Sequence, residues 1–128
     1  MRVAIATQDL ARIDAHLGWA RHLMLYEVSA EGYRHLRTAS FRTGLGQDGD
    51  HGKLVPRLRA LAGCTLVFVA DVGPDGERAL SLRRVAPVRS HAGQPVAAAL
   101  DALRDRLRAN QSPWLRREEQ RGRHRPRP

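Results

Sequence analysis

The sequence predicts a single α/β domain with a mixed five-stranded sheet, an antiparallel meander followed by parallel strands, flanked by helices. The length of 128 residues suits one hydrophobic core. Two β-rich runs meet across a short glycine-containing turn, which indicates a hairpin. Beyond them, apolar runs alternate with segments of helical periodicity, which is the order of strand and helix units that produces parallel strands.

The first half of the chain supplies the predicted meander. RVAIAT, residues 2–7, is a β-branched run closed by polar residues and is typical of a buried strand. A loop from Gln8 to Arg21 follows it. HLMLYEVS (22–29) and YRHLRTASFR (33–42) flank the turn residues AEG, so we interpret them as the two strands of a hairpin.

The next segment predicts a central helix and a buried strand. The loop over residues 43–52 is rich in glycine and aspartate. The helix after it ends at Gly63, and its predicted inner face consists of Leu54, Leu58, Leu61 and Ala62. CTLVFVADVG, residues 64–73, is the most continuous apolar run of the chain, which indicates a strand covered on both faces.

The last part of the domain predicts two helices around a fifth strand. PDGERALSL begins at Pro74, a residue favoured in the first turn of a helix. RVAPVR supplies the fifth strand, and PVAAALDALRDRLR forms the final helix. The predicted inner face of that helix consists of Val96, Leu100, Leu103 and Leu107.

Composition excludes several classes of protein. The hydrophobic fraction of 42% fits a globular domain, and no apolar run approaches the ~20 residues that span a bilayer. The start of the chain lacks the pattern of a secretory signal, so we expect a cytoplasmic protein. The single cysteine, Cys64, excludes an internal disulfide and a zinc site built on several thiolates. Metal chemistry must therefore depend on histidine.

Much of the formal charge of +9 lies at the end of the chain. Residues 114–128 contain six arginines and two glutamates, and this composition predicts a basic, disordered tail after a domain over residues 1–113. Subtracting the tail's +4 from +9 leaves +5 on the domain. That excess favours an anionic ligand or partner.

The predicted topology brings histidines to one edge of the sheet. Helical crossovers would align strands four and five with strand one, so that their carboxyl ends share an edge with the loops after strands one and three. Ligands of open α/β sheets bind outside such strand ends. Four of the six histidines fall at this edge, namely His16, His22, His51 and His91. His35 and Cys64 fall at the opposite edge.

Three segments of the chain, taken in order, resemble a known family. They are VAIATQDLARIDAHLGWARHLMLYEVSAEGYR, DGDHGKLVPRLRALAGCTLVFVADVG and SPWLRR. They resemble the NifX-type family of nitrogenase iron-molybdenum cofactor-binding proteins, up to Arg117. The resemblance implies a ribonuclease H-like sheet and a carrier rather than an enzyme. Such a carrier transiently binds an iron-sulfur cluster precursor of the cofactor and passes it between a donor and an acceptor scaffold of cofactor assembly.

The same resemblance places the family's proposed cofactor ligand at His16. A neutral imidazole binds iron and is a labile alternative to a thiolate. We expect auxiliary contributions to cofactor binding from arginine charges, close backbone approach, aromatic cover and helix N-termini. The residues expected to make them are Arg12, Arg21, Gly18, Trp19, Gly73 and His51, with Arg42 as a further cation.

The histidines of the carboxyl-end edge, Cys64 and Trp114 also have structural interpretations. His16 can stabilise a turn by bonding Asp14, and His51 can lie at a helix N-terminus beside Asp50. We interpret His22 as structural and His91 as an exposed loop residue. We also expect structural roles for Cys64, as a small buried hydrophobe, and for Trp114, which packs the chain end onto the domain.

Two other functions stay open from the sequence. One is a nucleic-acid-binding ribonuclease H-like protein without nuclease activity, because RVAIAT lacks the strand carboxylate that two-metal chemistry needs. The other is a ligand-binding or protein-interaction module without metal, in which His16 and Trp19 form part of a pocket.

Overall fold

The computed structural model describes residues 1–41 and 54–110, and it confirms the predicted α/β class. The strands are β1 (Arg2–Thr7), β2 (His22–Ser29), β3 (Gly32–Ser40), β4 (Leu66–Phe68) and β5 (Ala86–Val88). The α-helices are α1 (Leu54–Ala60), α2 (Pro74–Leu82) and α3 (Val96–Ala109), and a short 3₁₀ turn spans Leu17–Trp19.

The five strands form one sheet in the order β3-β2-β1-β4-β5. β1 and β2 pair antiparallel, as do β2 and β3, whereas β1, β4 and β5 are parallel. These are the strand order and directions of a ribonuclease H-like sheet. The predicted meander is confirmed, and so is the shared edge at which β1, β3, β4 and β5 end. We call it the carboxyl edge.

Two apolar layers cover the faces of the sheet. Side chains alternate along a strand, so β1 sends Ala4 and Ala6 to one face and Val3 and Ile5 to the other. On the first face, buried residues of the strands pack against those of α1 and α2. On the second face they pack against α3, whose buried residues are Val96, Ala99, Leu100 and Leu103.

Two strands are shorter than their apolar runs. β4 was predicted over residues 64–73, but its ladder with β1 covers only Leu66–Phe68. Beyond Phe68 the partner is the loop after β1: the amide of Ala70 donates to the carbonyl of Ala15. The predicted start of β5 is a turn, because Arg84 adopts a positive φ of 59°. β3 ends at Ser40, and the predicted last residue, Arg42, lies outside the described residues.

The helices follow the predicted faces with one exception. Leu58 and Leu61 are buried against the sheet, but Ala62 is exposed in the turn after α1, so its place on that face was wrong. Gly63 follows with a φ of 83°, a conformation that glycine adopts without strain. Within residues 1–41 and 54–110, no helix is long and apolar enough to span a bilayer.

Candidate functional site

Histidines lie at the carboxyl edge as the topology predicted. His16 belongs to the loop after β1, His22 pairs with Thr7 at the end of β1, and His91 follows β5. His51, the fourth, lies outside the described residues. His35 lies inside β3, opposite Tyr26 and away from this edge.

The three described histidines of this edge do not share a binding site. His22 Nδ1 lies 2.8 Å from the Ser40 hydroxyl, a cross-strand contact that supports its structural interpretation. His91 Nδ1 lies 2.9 Å from Gln94 Oε1 in the turn before α3. In the part of the chain that the structure describes, no group of three or more His, Cys, Asp or Glu side chains could hold a metal ion. His16 therefore has to be considered alone.

The backbone on both sides of His16 is bonded to the segment beyond β4. The carbonyl of Ala15 accepts from the Ala70 amide at 2.9 Å, and the Leu17 amide donates to the Asp71 carbonyl at 3.0 Å. His16 and Asp71 thus form a parallel bridge that extends the sheet past the ends of β1 and β4. This pairing fixes the backbone of His16 at the carboxyl edge, with the side chain half-buried.

The His16 ring caps the 3₁₀ turn. Its Nδ1 accepts a hydrogen bond from the Gly18 amide at 3.0 Å. The described contacts of the ring show this bond and not the predicted one to Asp14, whose Oδ1 accepts from the amide of Gln8 at 2.7 Å. His16 does stabilise a turn, but through Gly18.

Three of the predicted site residues, Trp19, Gly18 and Gly73, come together around this ring. Trp19 stacks on His16 with ring centroids 4.2 Å apart and planes inclined by 20°. A Cβ atom added to Gly18 would lie 3.5 Å from the ring, and one added to Gly73 would lie 3.9 Å from Nε2. Gly73 is the N-cap of α2 and provides no side-chain cap, so backbone rather than side chain borders Nε2.

Burial sets the charge state of His16. Partial burial lowers its pKa from the ordinary value of 6.5, and the nearby Asp71 carboxylate opposes that shift. The ring is therefore neutral at neutral pH. Because Nδ1 accepts the Gly18 N–H, the hydrogen-bond network assigns the proton of the neutral ring to Nε2. To bind iron through Nε2, the ring must carry that proton on Nδ1 and give up the bond to Gly18.

The structure does not bring the two predicted arginines to His16. Arg12 Nη1 donates to the Gly93 carbonyl at 3.2 Å, next to the start of α3. Arg21 is exposed. No contact among the described residues joins either guanidinium to His16. Arg42 and His51 lie outside the described residues, so their predicted roles stay predictions.

Residues that the sequence did not single out hold the turn beside His16. The buried Arg57 of α1 donates to the Ala20 carbonyl from Nε at 3.0 Å and from Nη2 at 2.7 Å. Its guanidinium also lies over the Phe41 ring, 4.7 Å from the centroid. On the other side, Gln8 bonds the Trp19 carbonyl and accepts from the Arg21 amide, both at 3.0 Å.

A charged network borders the site at the start of α2. Arg89, which follows β5, contacts Asp71 Oδ1 at 3.2 Å and Glu77 Oε1 at 2.6 Å. It also donates to the Val72 carbonyl at 3.3 Å. The Val72 amide and Arg89 lower the pKa of Asp71. The parallel pairing of β4 and β5 could have pointed to the contact between Arg89 and Asp71, because it places the residues that follow the two strands side by side.

Cys64 does not belong to this site. It precedes β4 at the opposite edge, is buried, and its pKa is raised by burial. A buried neutral thiol fits the predicted small hydrophobe.

Comparisons with known proteins agree with the resemblance. The family model described as dinitrogenase iron-molybdenum cofactor matches residues 1–106. The protein NifX of Herbaspirillum seropedicae is 38% identical over 125 residues, which cover 98% of this chain and 86% of that protein. NifX of Rhodobacter capsulatus is 35% identical, covering 91% of this chain and 76% of that protein.

Two further similarities are more limited in reach. The FeMo cofactor biosynthesis protein NifB of Azotobacter vinelandii is 30% identical over 79% of this chain, which matches only 21% of NifB. The crystal structure of PH0822 superimposes with a TM-score of 0.59, covering 81% of this chain and 90% of that chain, at 17% identity. The second similarity supports the fold alone.

Proposed function

Because this chain belongs to the NifX group of the dinitrogenase iron-molybdenum cofactor family, we propose that it is a carrier and not an enzyme. Its cargo is an iron-sulfur precursor of the nitrogenase iron-molybdenum cofactor, and its role is to receive and release that cargo during cofactor biosynthesis. The observation that carries this proposal is the half-buried, neutral His16, held by backbone pairing at the carboxyl edge.

A single imidazole suits a carrier because the cargo has to leave again. Four thiolates would hold a cluster tightly, whereas one neutral imidazole is a labile ligand that competes with protons. In the free protein the Gly18 amide occupies Nδ1. Release of the cargo restores this hydrogen bond, which stabilises the empty form.

The surroundings of His16 fit a bulky anionic cargo. Trp19 covers one face of the ring, and the glycines at positions 18 and 73 leave backbone close to the ring edge. Gly73 gives the N-terminus of α2 no side-chain cap, and the positive end of a helix dipole favours sulfide or carboxylate oxygen. Partners would be the donor and the acceptor scaffold of cofactor assembly, in the cytoplasm.

The test is cluster loading of the purified protein. The chain is produced together with the cluster-synthesis proteins, purified without oxygen, and analysed for iron, sulfide and visible absorption. We expect a brown wild-type protein and an H16A variant that has lost most of its iron and sulfide. H22A and H91A are matched controls, because they remove imidazoles of the same edge, and both should load normally. An H16A protein loaded like the wild type would contradict the proposal.

A further inference from the structure

We propose that Arg89 is a positioning residue of the cargo site: it offsets part of the negative charge of Asp71, which lies beside His16, and of Glu77 in the first turn of α2, and so allows an anionic cluster to approach. This inference rests on the proposed function, since it concerns the same site. It adds a residue that neither the family comparison nor the sequence pattern singles out.

Arg89 connects three elements at the carboxyl edge. From the end of β5 its Nε reaches Asp71, beyond β4, while its Nη2 reaches Glu77 in the first turn of α2 and the Val72 carbonyl. One guanidinium therefore serves two carboxylates. Replacing it by a neutral side chain would change the charge of this group from −1 to −2.

Asp71 is the link between this network and His16. Its carbonyl accepts from the Leu17 amide, so Asp71 is the backbone partner of the segment that carries His16. Its carboxylate acts on the charge of the imidazole directly. Two residues further on, Gly73 borders Nε2 of the ring. A cargo bound at Nε2 would thus lie beside Asp71 and the first turn of α2.

The two carboxylates of the loop after β1, Asp9 and Asp14, have partners of their own. Asp9 accepts from the amides of Ala11 and Arg12, and Asp14 accepts from the Gln8 amide. Asp71 and Glu77, in contrast, both contact the side chain of Arg89. The charge presented to the cargo therefore depends on Arg89.

The ion pairs of Arg89 are exposed to solvent, so removing Arg89 is expected to change the local charge without unfolding the protein. The side chains of Arg89, Asp71 and Glu77 are 39%, 69% and 50% exposed. Exposed ion pairs contribute little to stability, so a variant without the arginine is expected to fold. Uncompensated carboxylates, in contrast, repel a nearby anion at low ionic strength.

The experiment measures binding of a synthetic cubane iron-sulfur dianion with small thiolate ligands, by anaerobic titration of the full chain at low salt. We expect R89Q to bind about threefold to tenfold more weakly than the wild type, as one added negative charge near a dianion predicts. The loss should shrink as salt is added. R83Q is the matched control, because it removes the same charge at the far end of α2 and should bind like the wild type.

Two double variants test whether Arg89 acts through its charge or only by connecting β5 to α2. In D71N/R89Q and E77Q/R89Q one orphaned carboxylate is removed, so both double variants should bind more tightly than R89Q. Equal binding by R89Q and the wild type overturns the inference, and so do double variants as weak as R89Q. H16A is measured in parallel: normal binding by H16A rejects the proposed function, whereas weak H16A binding with normal R89Q binding rejects only the role of Arg89.

Discussion

The imidazole of His16 caps a turn, and under the proposed function it would also bind the cargo. The Gly18 amide donates to Nδ1 in the free protein, and a hydrogen bond of this kind contributes about 1 kcal/mol. A cargo that requires the proton on Nδ1 has to displace this bond. The cost would lower affinity by less than about tenfold, which suits the release that the proposed carrier function requires.

The lowered pKa of His16 predicts how loading depends on pH. Since burial disfavours the charged ring, the neutral form should persist below the ordinary value of 6.5. We expect synthetic cluster binding to be constant above 6.5 and to fall only at lower pH, as His16 protonates. Between 6.5 and the folded-state pKa the unfolded chain binds more protons, so stability also decreases as pH falls through this window.

Binding titrations at several pH values check this prediction, together with nuclear magnetic resonance of the His16 ring. W19L is an informative variant, because loss of the stacked indole exposes the ring and should move the midpoint upward. A midpoint at or above 6.5 in the wild type would contradict the role that we assign to burial.

Among the contacts between α1 and the 3₁₀ turn, we expect those of Arg57 to contribute most to stability. It is 3% exposed and gives two hydrogen bonds to the Ala20 carbonyl. R57M would fill the space but leave that carbonyl without its donors. We expect the free energy of unfolding to fall by about 2–4 kcal/mol, measured by urea denaturation.

The control for this variant lies two residues away on the same helix. Arg59 is exposed, and R59M should change the free energy of unfolding by less than about 0.5 kcal/mol. R57K is a second comparison: it keeps the charge but loses the planar pair of donors, so we expect an intermediate loss. Equal stability of R57M and R59M would show that the Ala20 contact is not important for folding.

Elements with strong local signals were predictable, whereas contacts between elements were not. The β-branched run RVAIAT identifies β1 because residues 3–7 are buried on both faces of the sheet, and the apolar face of α3 identifies that helix because it packs on the sheet. β4 is shorter than its run because the chain after β1 replaces β1 as its partner. His16, Gly18 and Trp19 are close in sequence, so their proximity was foreseeable. Arg57 and Arg89 act on residues far along the chain.

The positive charge of the molecule is not gathered around His16, where an anionic ligand would be expected to bind. The described residues contain fourteen arginines and nine carboxylates, which gives +5. At the end opposite the carboxyl edge, Arg2 and Arg34 lie around Glu27, and Arg2 and Arg37 both act on the Cys64 thiol. In the loop after β1, backbone amides donate to Asp9 and Asp14, and beside His16 Arg89 contacts Asp71 and Glu77, which together with it carry a net charge of −1. Net positive charge is therefore better placed to attract a partner than to hold the cargo.

The same argument applies to the arginine-rich end of the chain, which lies outside the described residues. Residues 116–128 carry six of the 22 basic residues, and we predict that they accelerate docking on an acidic partner without contributing to the fold over residues 1–113. Deleting these residues should leave both the free energy of unfolding in urea and the binding of the synthetic cluster unchanged.

The deletion variant should transfer cluster to an acceptor protein more slowly than the full chain at low salt. At high salt the two rates should match, because screening removes long-range attraction. A full-length variant with these six arginines changed to glutamine should behave like the deletion. Unchanged transfer rates at low salt would instead mean that the positive charge of the domain is sufficient for docking.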